Sequence, residues 1–121
     1  MRLDKLVKTT VDALEDIKGR DMVVLDVRKM TAFFDKVIVV SGDSARQNKA
    51  LAGNVQEKAK ALGATVHGVE GTDPGEWVLI DLGAVVVHVM QPAIRQHYNL
   101  EELWSNAAPV PRRRAAGGAR S

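Results

Sequence analysis

Ser41-Gly42-Asp43-Ser44 follows an apolar run and precedes a helical pattern, a place where backbone amides at a helix start can cradle a phosphate. Neither GxxxxGK[ST] nor GxGxxG accompanies it. An ordinary strand-to-helix turn with a serine cap accounts for the same residues. Nucleotidyl transfer needs closely spaced carboxylates to hold metal ions, whereas Glu57, Glu70, Asp73, Glu76 and Asp81 are isolated acids. His67, His88 and His97 show no HExxH or comparable ligand spacing, and the chain has no cysteine, so neither a metal site nor any other cofactor site is expected. Serine hydrolysis lacks GxSxG. His88 reads as a cross-strand partner of Trp77 or part of a binding surface rather than a general base.

Charge narrows the partners. Of 17 basic residues, Arg112, Arg113, Arg114 and Arg120 lie beyond Pro109, and all 15 acidic residues lie before it, so residues 1–108 carry 13 minus 15, or −2. The acidic body suits a basic protein partner better than nucleic acid, and it shows no stacking motif of an RNA-binding sheet. The segment 109–121 is rich in Pro, Gly and Arg and nearly free of large apolar side chains, which predicts a disordered basic tail. Arg112, Arg113 and Arg114 suit a weak electrostatic contact with rRNA phosphates, and a solubilising terminus explains them equally.

At 121 residues with 45% hydrophobic and 26% charged side chains, the chain has the make-up of one soluble globular domain, assigned to residues 1–108. No apolar run approaches the ~20 residues of a membrane span. The first residues read as neither a signal nor a transit peptide, so a cytoplasmic location and no membrane partner are expected.

The elements that must position any site follow from periodicity. Leu3, Leu6, Val7, Val11, Leu14 and Ile17 form the stripe of an amphipathic helix, with Gly19 placed for a left-handed cap. Met22 to Val27 and Lys36 to Val40 read as strands, the second one buried. Ser44 and Gln47 have capping-box spacing before a helix that ends at Gly63, and Thr65 to Val69 reads as a third strand. Pro92 opens a further helical segment through Tyr98. Asn99 precedes the turn LEELW, whose Leu100, Leu103 and Trp104 can pack back on the body. Tyr98 and Trp104 read as core anchors.

The segment WVLIDLGAVVVHVM is divided by Gly83 into two strands. A turn around Leu82 and Gly83 pairs Ile80 with Val85, Leu79 with Val86, Val78 with Val87 and Trp77 with His88. Val78, Ile80, Val85, Val87 and Val89 then share an aliphatic face suited to lie under helices. The other face carries Trp77, Leu79, Asp81, Val86, His88 and Met90, a mixture typical of an interface centre. The order of elements predicts an α/β sandwich with a mixed five-stranded sheet.

Three blocks, VVSGDSARQNKALAGNV, GEWVLIDLGAVVVHVMQP and YNLEELW, closely resemble the ribosomal silencing factor (RsfS, or Iojap) family, and the resemblance runs from the first helix to Trp104. It implies a nucleotidyltransferase-like fold without catalytic residues, hence no enzyme and no small-molecule substrate. It also implies binding to large-subunit ribosomal protein fourteen on the intersubunit face, which blocks subunit joining and represses translation under nutrient limitation. Homodimers are a further implication. The family's binding surface falls on Glu76, Trp77, Leu79, Asp81, Val86, His88 and Met90. Two positions depart from the pattern: Leu82 stands where an aromatic is common, and Ala84 where an acid is common. A nucleotide-binding enzyme using Ser41–Ser44 and a dimeric module unrelated to ribosomes are the rival readings.

Overall fold

Val37, Ile38, Val39 and Val40 are all fully buried. Four consecutive β-branched residues without access to solvent require a central strand covered on both faces, which is where the computed structural model, describing residues 2–110, places them. The elements run α1 (Leu3–Asp16), β1 (Arg20–Asp26), β2 (Lys36–Ser41), α2 (Ala45–Leu62), β3 (Gly68–Glu70), β4 (Trp77–Asp81), β5 (Val85–Met90), α3 (Pro92–Tyr98), α4 (Leu100–Leu103) and β6 (Ala108–Pro109). The sheet order is β3-β4-β5-β2-β1-β6. Its one parallel pair is β2 with β5, and the other neighbours are antiparallel.

Both faces are apolar where they meet the rest of the chain. Val78, Ile80, Val85, Val87 and Val89 lie under α1 and α2, joining Leu6, Leu14, Leu51 and Val55 in one core. The expected aliphatic face is thus the helix-covered one. On the opposite face Leu25, Val27, Val37, Val39 and Met90 form a second cluster, against which Phe34, Ile94, Leu100 and Trp104 pack. The C-terminal helices cover only part of that face.

Several expectations are corrected. The sheet has six strands rather than five, because Ala108 and Pro109 pair with Asp26 and Leu25 across the expected boundary between body and tail. Two residues, one a proline, carry no strand signal of their own; the edge of β1 organises them. The third strand is Gly68–Glu70, displaced toward the hairpin that pairs with it. Gly19 is not the left-handed cap, a conformation held by Lys18 at φ 64°. A Cβ at Gly19 would stand 2.7 Å from Val40 Cγ2, so close approach to β2 requires the glycine.

The β4–β5 hairpin also shifts. Its turn residues are Gly83 and Ala84, closed by Leu82 N donating to Val85 O at 2.9 Å, with Gly83 at φ 86°. Trp77 therefore pairs with Met90, Leu79 with His88 and Asp81 with Val86. The slip is by two residues, so every side chain stays on the expected face.

Candidate partner-binding surface

The part of the second face left uncovered is built around Trp77. Its Nε1–H donates to His88 Nδ1 at 3.1 Å. That bond needs an unprotonated Nδ1, and burial pushes His88 down to about 4. The Tyr98 ring lies 5.1 Å from the indole and His97 4.9 Å from Tyr98. Tyr98 is 57% exposed, so it belongs to the surface rather than serving as the core anchor expected. Trp104 is the anchor, meeting Phe34 edge-on at 5.8 Å.

Of the other candidates, Leu79 lies opposite His88 and remains partly exposed, and Glu76 is exposed at the entrance to β4. Asp81 is partly exposed but already engaged, its Oδ1 accepting from Gly83 N at 2.8 Å. Val86 is 8% exposed and Met90 is fully buried. Met90 was expected to supply contact area; instead it is floor beneath Trp77, sealed by the C-terminal helices. The structure thus brings all seven candidates to one region, with Glu76, Trp77, Leu79, Asp81 and His88 retaining surface.

Three supports were not legible as site residues. Asn48, fully buried on α2, donates from Nδ2 to Gly75 O at 2.8 Å and so pins the segment that delivers Glu76 and Trp77. Gly71, at φ 85°, passes so close to the Trp77 carbonyl that any Cβ would collide with it. Arg95 holds α3 and α4 in place: Nη1 donates to Ser41 Oγ at 2.9 Å, and Nη2 to Glu101 Oε2 at 2.7 Å. The guanidinium also holds the Glu101 carboxyl below its ordinary range. Only the Ser44–Gln47 spacing advertised a support in advance.

The Ser41–Ser44 turn is closed on itself. Gly42 N donates to Met90 O, Asp43 N to Gln47 Oε1 and Gln47 N to Ser44 Oγ, at 3.1, 2.7 and 3.0 Å, while Asp43 pairs with Arg20. Gly42 N thus continues the pairing of β2 with β5, while Asp43 N and Gln47 N are committed to the start of α2. A shallow depression of about 260 Å³ beside Arg95, Ser41 and Glu101 offers an anion no free guanidinium, since Glu101 already occupies it. Among the described residues, no cluster of three or more His, Asp or Glu could hold a metal ion, and no helix is long and apolar enough to cross a membrane.

Charge is distributed unevenly around this surface. Residues 61–94 contain no Lys or Arg, and their acids, Glu70, Asp73, Glu76 and Asp81, lie on β3, on β4 and in the connection between them. The β3–β4 segment therefore contributes only acidic charges of its own near Trp77 and Leu79, while the Lys49 side chain of α2 lies close to Gly75.

Known proteins resemble this chain over nearly its whole length. A family model described as "Ribosomal silencing factor during starvation" matches residues 1–120. The Chromobacterium violaceum ribosomal silencing factor RsfS is 50% identical over 109 residues, covering 90% of this chain and 89% of the relative. That of Haemophilus influenzae is 38% identical over 100 residues, covering 83% and 98%. A crystal structure of a Chromobacterium violaceum protein superposes with a TM-score of 0.86 at 49% identity, covering 96% of this chain and 97% of that one.

Proposed function

This chain belongs to the ribosomal silencing factor family, and from that premise we propose that it docks through the Trp77 surface on large-subunit ribosomal protein fourteen. The docked domain blocks joining of the small subunit and so represses translation under nutrient limitation. The observation that carries this reading is the preformed indole: Trp77 donates to His88 and its ring meets Tyr98, on a sheet face left partly bare, in a segment (residues 61–94) whose own charged side chains are all acidic. A partly exposed aromatic held by its neighbours is a ready hot spot, and the acids complement a basic ribosomal protein and steer its approach.

In this mechanism Trp77 and Leu79 supply the contact area. Glu76 and Asp81 set orientation, His88 completes the surface around the indole, and the buried Val86 and Met90 support it from within. The action is steric and needs no reaction, cofactor or small-molecule substrate; the fold is read as nucleotidyltransferase-like but put to use as bulk. Arg112, Arg113 and Arg114 lie outside the described residues, and we assign them a weak contact with rRNA phosphates. A cytoplasmic site of action and self-association as a homodimer belong to the same reading.

Sedimentation with purified large subunits tests it. Trp77→Glu should abolish binding, and because the indole also packs on the second cluster, Leu79→Glu provides a companion variant at a strand position with less buried surface at stake. Both variants, shown to be folded by circular dichroism, should fail to co-sediment and fail to block subunit joining. Retention of full binding by the two would sink the assignment of this surface.

A further inference from the structure

The contact between Trp77 and His88 fixes more than the position of the indole. An indole Nε1–H can only donate, so the 3.1 Å bond to His88 Nδ1 makes that nitrogen the acceptor. Burial keeps the imidazole uncharged at neutral pH. In a neutral ring whose Nδ1 accepts, the single proton sits on Nε2. The indole therefore decides which way His88 presents its hydrogen.

That Nε2–H has no hydrogen-bond partner among the described residues, and it is open to solvent. The buried side-chain nitrogen and oxygen atoms left without a partner there are Asn48 Oδ1 and Trp104 Nε1, and His88 Nε2 is not one of them. Its surroundings are apolar. Leu79 lies directly opposite on β4 and Val39 beside it on β2, with Val86 and Met90 two positions away along β5. Of the seven candidate residues, Glu76 and Asp81 offer acceptors, Leu79, Val86 and Met90 offer no donor, and the Trp77 N–H is already engaged. Among them His88 Nε2–H is the one free side-chain donor.

We propose that His88 is the specificity-determining residue of the docking surface, its Nε2–H donating to a carbonyl oxygen on the partner. The inference rests on the ribosome-binding reading and deepens it by naming the group the partner must bring. A docked protein strips water from Nε2, and a donor then left without an acceptor opposes binding by its full desolvation cost. A carboxylate acceptor would face Glu76 and Asp81 at the two ends of β4, so the matching group is a neutral carbonyl of the main chain or an amide. Surfaces that present a donor or an apolar group at that point are rejected. One directional contact thereby discriminates among basic proteins of similar charge. The indole has two tasks in this arrangement, supplying contact area and fixing the tautomer of its neighbour.

Isolated ribosomal protein fourteen is the probe, titrated with the full chain and two variants. His88→Asn sets an amide oxygen near the place of Nδ1, keeping an acceptor for the indole while dropping the outward donor. His88→Gln sets an amide nitrogen near the place of Nε2. His88→Asn should weaken binding roughly ten-fold, and His88→Gln should stay within about three-fold of the parent. The reverse order would show that His88 only holds the indole, equal losses that it acts through packing, and no loss that the donor is idle; each result overturns the proposal. Nitrogen NMR of the labelled imidazole needs no variant. Nδ1 should be bare and Nε2 protonated at neutral pH, and the Nε2 proton should exchange more slowly once the partner is added. A proton on Nδ1, or exchange that binding leaves unchanged, overturns the proposal as well. Failure of the underlying reading looks different: Trp77→Glu and Leu79→Glu then keep their large-subunit binding, and the proposal falls with the surface.

Discussion

The two faces of the sheet are made from the same strands, and they differ in what covers them. Beneath α1 and α2 the side chains are almost uniformly aliphatic and fully buried, and the turn geometry can slip by two residues without changing which of them point inward. The opposite face mixes Trp77, His88, Asp81 and Leu79 with a partial cover of α3 and α4, and its arrangement depends on individual hydrogen bonds. One face is secured by area, the other by specific partners. A surface meant to receive another molecule cannot bury its own area, so directional contacts must keep it in shape.

That contrast can be broken by mutation. Ile38→Ala, in the fully buried central strand beneath the helices, should cost about 2–5 kcal/mol in urea unfolding, through lost transfer free energy and the cavity left behind. If Ile38→Ala and Leu79→Ala cost the same, the two faces are not energetically distinct.

The His88 side chain provides a second test. Its folded pKa of about 4 lies below the ordinary 6.5, so between those pH values the unfolded chain binds the proton more readily. Stability therefore falls as pH drops through that window, by about 1–3 kcal/mol, and His88→Asn should flatten the slope of urea midpoint against pH. An unchanged slope in the variant would remove His88 as its source.

Arg95→Ala removes the tether that joins α3 to Ser41 of β2 and to Glu101 of α4, and should cost about 1–2 kcal/mol. The loss should be local: amide exchange should quicken in α3 and α4 while the strands beneath α1 and α2 keep their protection. The smallest effect is expected at Gly53 in α2, where a Cβ would meet nothing within 4 Å. Gly53→Ala should stabilise by about 0.5–1 kcal/mol through helix propensity, read as a raised urea midpoint.

Much of this was readable in advance, for reasons that differ between elements. The stripe from Leu3 to Ile17 and the capping spacing of Ser44 and Gln47 are local signals, and α1 and the start of α2 follow them closely. Gln47 completes the box one residue earlier than the pattern implies, accepting from Asp43 N rather than from the cap itself. Period-two alternation in β4 and β5 sorted the two faces correctly despite the wrong register, because a two-residue slip preserves parity. Tyr98 differs from the expected core anchor because its ring leaves the short helix α3 to meet a strand residue at a tilt, a contact between distant segments that periodicity cannot report. The burial of Met90 beneath the same helices escaped for the same reason.

By itself the sequence determined the elements, the inward face of each strand, the family resemblance and the division of charge along the chain, because these depend on neighbours within a few residues or on composition alone. Tertiary structure decided the sixth strand, the pinning of the Trp77 approach by Asn48, and the pairing of the indole with His88 and Tyr98. Each depends on bringing together segments far apart in the chain, where the geometry of one hydrogen bond or one ring contact decides whether a side chain is floor, support or surface.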